Sequence, residues 1–265
     1  MPKVSVIMPT YNRGWIIVRA IESVLGQSFK DFELIIVDDG STDNTSKLIQ
    51  SINDRRISFV QIDHRGVSAA RNKAISLAGG DLIAYLDTDN VWHADFLEVM
   101  ILELKRPYVL GYCSENMFLL AGKNPGADII GRKVRNVDYN PVKLAKTNYI
   151  DINSVLHDKK LFAEIGTFDE GLQSLEDWDF FIRIALKYPF LLKHIDQVLC
   201  DYYYFLNNVT TTVTNRVLSD KDMFAYFQIS DFQGDEKKIT DKIKNYLADR
   251  LVNQTLDKTA RASTG

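Results

Sequence analysis

The stretch FELIIVDDGSTDNT (residues 32–45) sets five apolar residues in its first six positions, then two acids, a glycine and a run of Ser, Thr, Asp and Asn. A short, nearly continuous apolar run bounded by turn formers reads as a strand buried on both faces. STDNTSKLIQSI (41–52) begins with helix N-cap residue types and continues as a helix. The same alternation extends in both directions. KVSVIMP (3–9) reads as a strand ended by Pro9, and GWIIVRAIESVLGQ (14–27) has helical apolar spacing that stops near Gly26. RISFVQID (56–63) is a third strand, GVSAARNKAISLAGG (66–80) a helix, DLIAYLD (81–87) a fourth strand and HADFLEVMILEL (93–104) the next helix. Buried strands joined by helices imply an α/β fold with a mainly parallel sheet flanked by helices.

Beyond a further strand at Tyr108–Ser114 the pattern loosens. Residues 115–147 carry glycines, a proline-bounded turn and mixed charge, and read as a surface excursion or acceptor-side lobe. YIDINSVLHD (149–158) resumes strand character, and LLKHIDQVLCDYYYF (191–205) supplies one or two more strands. SLEDWDFFIRIALKY (174–188) is a helix opened by acids, which suits the positive end of its dipole. The expected organisation is a main domain over 1–218, divided into halves at about 114, and a helical extension over 219–265.

With 265 residues, 46% of them hydrophobic, the chain can bury a sizeable core. Its net charge of −3 gives no footprint for nucleic acid. Cys113 and Cys200 are too few for a disulfide framework and suggest a reducing compartment. No apolar run is long enough to span a bilayer, and residues 1–9 lack a secretory signal pattern. The expected location is the cytoplasm, or the periphery of the inner face of the membrane. Oligomeric state stays open.

In parallel α/β sheets ligands bind beyond the carboxyl ends of the strands. The first four strands end in MPTYNR, VDDGS, IDHRG and LDTDN, so three of the four deposit carboxylates on that edge. Two acids ~4 Å apart repel by ~4 kcal/mol at an effective dielectric of 20, a repulsion that a bound cation reverses. Neither a G-x-G-x-x-G nor a G-x-x-x-x-G-K-S/T is present to cradle phosphates. A divalent cation held by Asp87 or Asp89 is the remaining device, and carboxylates with substrate phosphates suit Mg²⁺ or Mn²⁺. Short acidic pairs at turns also cap helices, so the pair alone leaves both readings open.

Five segments, VSVIMPTYNR (4–13), LIIVDDGSTDNT (34–45), GVSAARN (66–72), AYLDTDN (84–90) and LEDWDFFIR (175–183), occur together and in order. In this the chain resembles the inverting, GT-A fold glycosyltransferases of glycosyltransferase family 2. The resemblance implies a nucleoside-diphosphate sugar donor, a uridine-linked one first, and a glycan, lipid-linked or protein acceptor. It implies that Pro9, Thr10, Tyr11 and Arg13 line the nucleotide, that Asp39 accepts from the base and that Asp38 supports the loop. Arg71 would reach the nucleotide side of the cleft, with a solvated helix arginine as the alternative. LDTDN resembles the family's D-x-D: Asp89 would hold the metal, and Asp87 the ribose or a metal-bound water, with Thr88 between them at the donor. Asp177 would be the general base, with Glu176 its competitor; helix capping is the other reading of this pair. Trp178 would be either an aromatic platform for the acceptor sugar or a core residue.

Two departures stand out. Relatives often carry a Tyr-Arg-x-His-like stretch after the last strand, whereas this chain reads DYYYFLNNVTTT (201–212), leaving Asn207 and Asn208 as weak substitutes for a third metal ligand. The Q-x-x-R-W signature of processive polymerases is absent, which favours transfer of a single sugar. A degenerate, non-catalytic sugar-nucleotide or glycan-binding module is the competing reading.

Overall fold

The computed structural model describes residues 2–122, 126–172 and 174–205, together with the backbone of two short paired strands, Thr212–Val213 and Arg216–Val217. The helical extension expected over 219–265 lies outside the described residues, as do Asn207 and Asn208.

The first half alternates as its periodicity predicts: β1 (Val4–Thr10), α1 (Ile17–Leu25), β2 (Phe32–Asp38), α2 (Thr45–Gln50), β3 (Ile57–Gln61), α3 (Val67–Leu77) and β4 (Leu82–Tyr85). Then follow β5 (Val91–Trp92), α4 (Phe96–Glu103), β6 (Leu110–Leu120), β7 (Ile129–Arg135), α5 (Pro141–Leu144), a 3-10 turn at Ile152–Ser154, β8 (Val155–Asp158), α6 (Leu161–Ile165), α7 (Glu176–Lys187) and β9 (Leu192–Phe205). One nine-stranded sheet runs in the order β3-β2-β1-β4-β8-β6-β9-β5, with β7 paired to β6. Its first four strands are parallel. From β4 onward the sheet is mixed, because β8 is antiparallel to both β4 and β6 while β6 and β9 are parallel.

Every residue of β1 is buried, as is all of β2 except Glu33, so both faces of these strands are covered. Ile17, Ala20, Ile21 and Val24 of α1 recur at helical spacing and form one core with Val4, Val6, Met8, Leu34 and Ile36. The apolar stripe, rather than capping, holds this helix, since its N-cap Ile16 makes no side-chain bond.

The surface excursion or acceptor-side lobe expected to begin at residue 115 begins later. Residues 115–120 continue β6, and residues 129–135 return as β7 in an antiparallel hairpin. Glu115 looked like a strand end because it is charged. It is buried, and Arg135 of the facing strand places Nη1 2.6 Å from its Oε1. Of the run expected as one or two strands, Leu192–Phe205 forms one, β9, with register shifts against β6 around Ser114.

Candidate active site

The carboxyl ends of β1, β2 and β4 gather the predicted residues on one edge. Asp38 is fully buried. Its Oδ1 accepts the Ser41 amide at 2.9 Å and its Oδ2 the Ser46 hydroxyl at 2.5 Å, which ties the loop after β2 to the strand end. Asp39 accepts the Arg65 and Gly66 amides, each at 2.8 Å, and lies 2.7 Å from Nδ1 of His64. Gly40 makes the crossing between these two loops, with φ at +79°. A Cβ there would stand 3.1 Å from the His64 amide nitrogen. The imidazole of His64 stacks on Tyr11, with centroids 4.2 Å apart and an 18° interplanar angle. Pro9 sits in the register opposite Val37. Thr10 is buried, and its hydroxyl has no hydrogen-bond partner among the described residues.

The end of β4 carries the acidic pair, and the structure divides its work. Arg71, from α3, is only 2% exposed. Its Nη2 reaches both oxygens of Asp87, at 2.9 and 3.2 Å, while its Nη1 meets Glu176 at 2.5 Å. Burial opposes the guanidinium charge, but Asp87, Glu176 and Asp177 outweigh it and hold the pKa above the ordinary arginine value. Arg71 therefore does not extend into the cleft as expected. It bolts the first acid of D-x-D to the start of α7. Asp87, expected as a partner of ribose or metal, is engaged by this guanidinium through both oxygens.

Asp89 is the acid left to the cleft. It accepts from Nδ2 of Asn90 at 3.2 Å and has no ion-pair partner among the described residues. Burial, then repulsion from Asp87 and Asp151, pushes its pKa up to about 6 against the opposing charge of Arg13. A carboxylate so under-neutralised is suited to a cation. Among the described residues no three acids, histidines or cysteines cluster to hold a metal by themselves. Of the two acids of this turn, Asp89 is the one without an ion pair among the described residues, so a divalent cation, if bound, would have it as its protein carboxylate. The backbone of this turn is fixed by Arg19, whose Nη2 donates to the Asp89 carbonyl at 2.9 Å. Thr88 between the two acids is buried.

On the opposite half, Leu175 takes a left-handed conformation, φ +63°, immediately before α7. The residues that follow diverge: Glu176 turns inward to Arg71, and Asp177 accepts from Nδ2 of Asn148 at 3.3 Å. Burial, then the charges of Glu176 and Asp151, raises the Asp177 pKa to about 7. Trp178 does not present a face to a sugar. It is 3% exposed, and its indole N–H donates to the Leu144 carbonyl at 2.7 Å, so it belongs to the core.

Sequence reading missed His64, Asp151, Asn153 and Arg135. His64 lies in the IDHRG strand end, where its place beside an acid was the available signal. Asp151 and Asn153 lay inside a run read as strand, with no motif to mark them.

Comparison with known proteins gives the family and the fold. The pattern described as Glycosyl transferase family 2 matches residues 5–118, and that of Glycosyltransferase like family 2 matches residues 136–220. WcaA of Escherichia coli (strain K12), named a colanic acid biosynthesis glycosyl transferase, is 31% identical over 203 residues, 75% of this chain and 72% of its own length. An Escherichia coli chondroitin synthase is 28% identical over 75% of this chain, which spans only 28% of that protein. Among solved structures, S. aureus TarS 1-349 in complex with UDP-GlcNAc superposes with a TM-score of 0.60 at 21% identity, over 80% of this chain and 62% of that one. The mannosyltransferase PcManGT from Pyrobaculum calidifontis, in complex with GDP-Man and Mn²⁺, gives 0.57 at 19% identity, over 76% and 56%. Strand order, acidic edge and relatives converge: the chain is a glycosyltransferase of GT-A fold and belongs to glycosyl transferase family 2.

Proposed function

We propose that the protein transfers one sugar, with inversion, from a UDP-linked donor to a hydroxyl of a glycan, lipid-linked or protein acceptor. One observation carries this reading. Two carboxylates from different halves of the chain, Asp89 and Asp177, are both pushed up by burial and by the charge of Asp151, while Arg71 ties their neighbours Asp87 and Glu176 together. A donor fixed at Asp89 and an acceptor at Asp177 would then meet across one cleft. Asp177 takes the acceptor hydroxyl proton as the bond to the leaving group weakens, and a base near neutrality is matched to that task. A divalent cation, when bound, supplies positive charge to the leaving nucleoside diphosphate. Arg13, whose charge already acts on Asp89, adds to that field. The Tyr11–His64 stack and the buried, unpartnered hydroxyl of Thr10 supply a flat face and a donor for the base.

The test is thermal shift and calorimetry with uridine, thymidine and guanosine diphosphates, with and without Mn²⁺. UDP is expected to stabilise most, by about 2.7 kcal/mol at a hundredfold excess over Kd. Mn²⁺ should increase that shift in the wild type and not in Asp89→Ala. An increment that survives in Asp89→Ala would overturn the metal assignment, and a larger shift with another base would overturn the donor. Tyr11→Ala should weaken UDP binding by about 1–3 kcal/mol, the usual worth of an aromatic–base stack. Unchanged affinity would remove Tyr11 from the nucleotide site.

A further inference from the structure

Strands β4 and β8 pair antiparallel, Leu82 with Asp158, Ile83 with His157 and Ala84 with Leu156. Continued three residues further, that register brings Asn153 opposite Asp87. The ladder stops before it arrives, because the chain breaks into the 3-10 turn at Ile152–Ser154. The Asp87 amide at the mouth of the acidic turn thus loses its strand partner. The side chain of Asn153 replaces it: Oδ1 accepts the Asp87 N–H at 2.6 Å. The same residue's carbonyl accepts the indole N–H of Trp92 at 2.7 Å, on the far side of the turn. Its Nδ2 and its own amide both donate to Oδ1 of Asp151, at 2.6 and 2.9 Å. Asp151 in turn lies 3.3 Å from Arg135 of β7.

We propose that Asn153 is a positioning residue for the D-x-D turn, holding Asp87–Trp92 from both ends so that Asp89 is aimed into the cleft. The residue is 1% exposed, so solvent does not reach these bonds in the native protein. The carboxamide serves both partners at once, its oxygen accepting from Asp87 and its nitrogen donating to Asp151. A carboxylate would face Asp151 without a proton to offer, and an aliphatic residue would leave the Asp87 amide without its acceptor. The inference rests on the reading of Asp89 as the attachment point for the donor's metal-bridged diphosphate.

The test uses the full chain, Mn²⁺ and UDP, with the variant Asn153→Ala and, should that fail to fold, Asn153→Ser. Amide hydrogen exchange of residues 87–90 in the free protein is measured first. Calorimetric UDP affinity with and without Mn²⁺ follows. Exchange at 87–90 is expected to rise about tenfold or more, and UDP affinity in Mn²⁺ to fall about 10–100-fold, the range for losing an outer partner of a metal site. UDP affinity without Mn²⁺ should stay within about twofold, since Tyr11 and the Asp39 loop do not touch Asn153. Exchange at 87–90 unchanged from wild type would overturn the proposal, as would equal loss of UDP affinity with and without Mn²⁺. If Mn²⁺ leaves wild-type UDP binding unaltered, the metal reading fails by itself, and the exchange at 87–90 still decides the role of Asn153.

Discussion

Asp177→Asn is expected to lower sugar transfer by about 10²–10⁴-fold while UDP binding stays at the wild-type level. The substitution keeps the shape and the acceptor oxygen that faces Asn148 but removes the proposed base. Wild-type kcat/KM should climb with pH and level off above about 7, because the free enzyme must carry Asp177 ionised. Stability should move the other way. Folding raises this carboxyl from its ordinary value of 3.8 to about 7. The stability it contributes is complete below the unfolded value and is lost as pH rises through about 7. Asparagine does not ionise, so the variant should melt above the wild type at pH 8 and together with it near pH 3. An Asp177→Asn protein that transfers sugar at the wild-type rate would place the base elsewhere, and Glu176→Gln would then be the next variant to assay.

Arg71→Met is expected to destabilise the fold by about 3–5 kcal/mol, because it leaves two acids facing one another in a largely buried site. In a chain of this size that corresponds to a fall in Tm on the order of 10 °C. Arg71→Lys should recover little, since a single ammonium cannot reproduce the fork that meets Asp87 on one side and Glu176 on the other. Adding Glu176→Gln to Arg71→Met should restore part of the loss by removing one of the stranded charges. Melting curves at pH 7.5 decide it; an Arg71→Met curve that overlays the wild type would show the bolt to be unnecessary.

Local pattern made the first half legible. β1, β2 and β4 are apolar runs that end in turn formers, and the helices between them make them parallel; their order, with β1 between β2 and β4, is set by long-range packing. The acids at those ends were legible as a cluster for the same reason. What each acid does was not, because it depends on contacts distant in sequence. Asp87 and Asp89 look equivalent as LDTDN. Only the arrival of Arg71 from α3 engages one and leaves the other to the cleft. Glu115 was misread for a related reason: a charge inside a strand reads as an end unless its partner is known, and Arg135 lies 20 residues on, across a hairpin. Trp178 is apolar enough for core or platform, and what settles it is the carbonyl of Leu144.

The Arg71–Glu176 contact joins residues 105 positions apart. During synthesis at ~5–20 residues per second, Arg71 therefore leaves the ribosome roughly 5–20 s before its second carboxylate exists. In that interval the parallel strands can form, and Asp87 is the nearer of the two partners to be made. The end of β4 is thus built around a guanidinium that has one of its two carboxylates, and the arrival of α7 supplies the second. The arrival of α7 brings Glu176 to Arg71 and Asp177 to the site in one event, so a nascent chain without its proposed base also lacks the contact that ties Asp87 to α7.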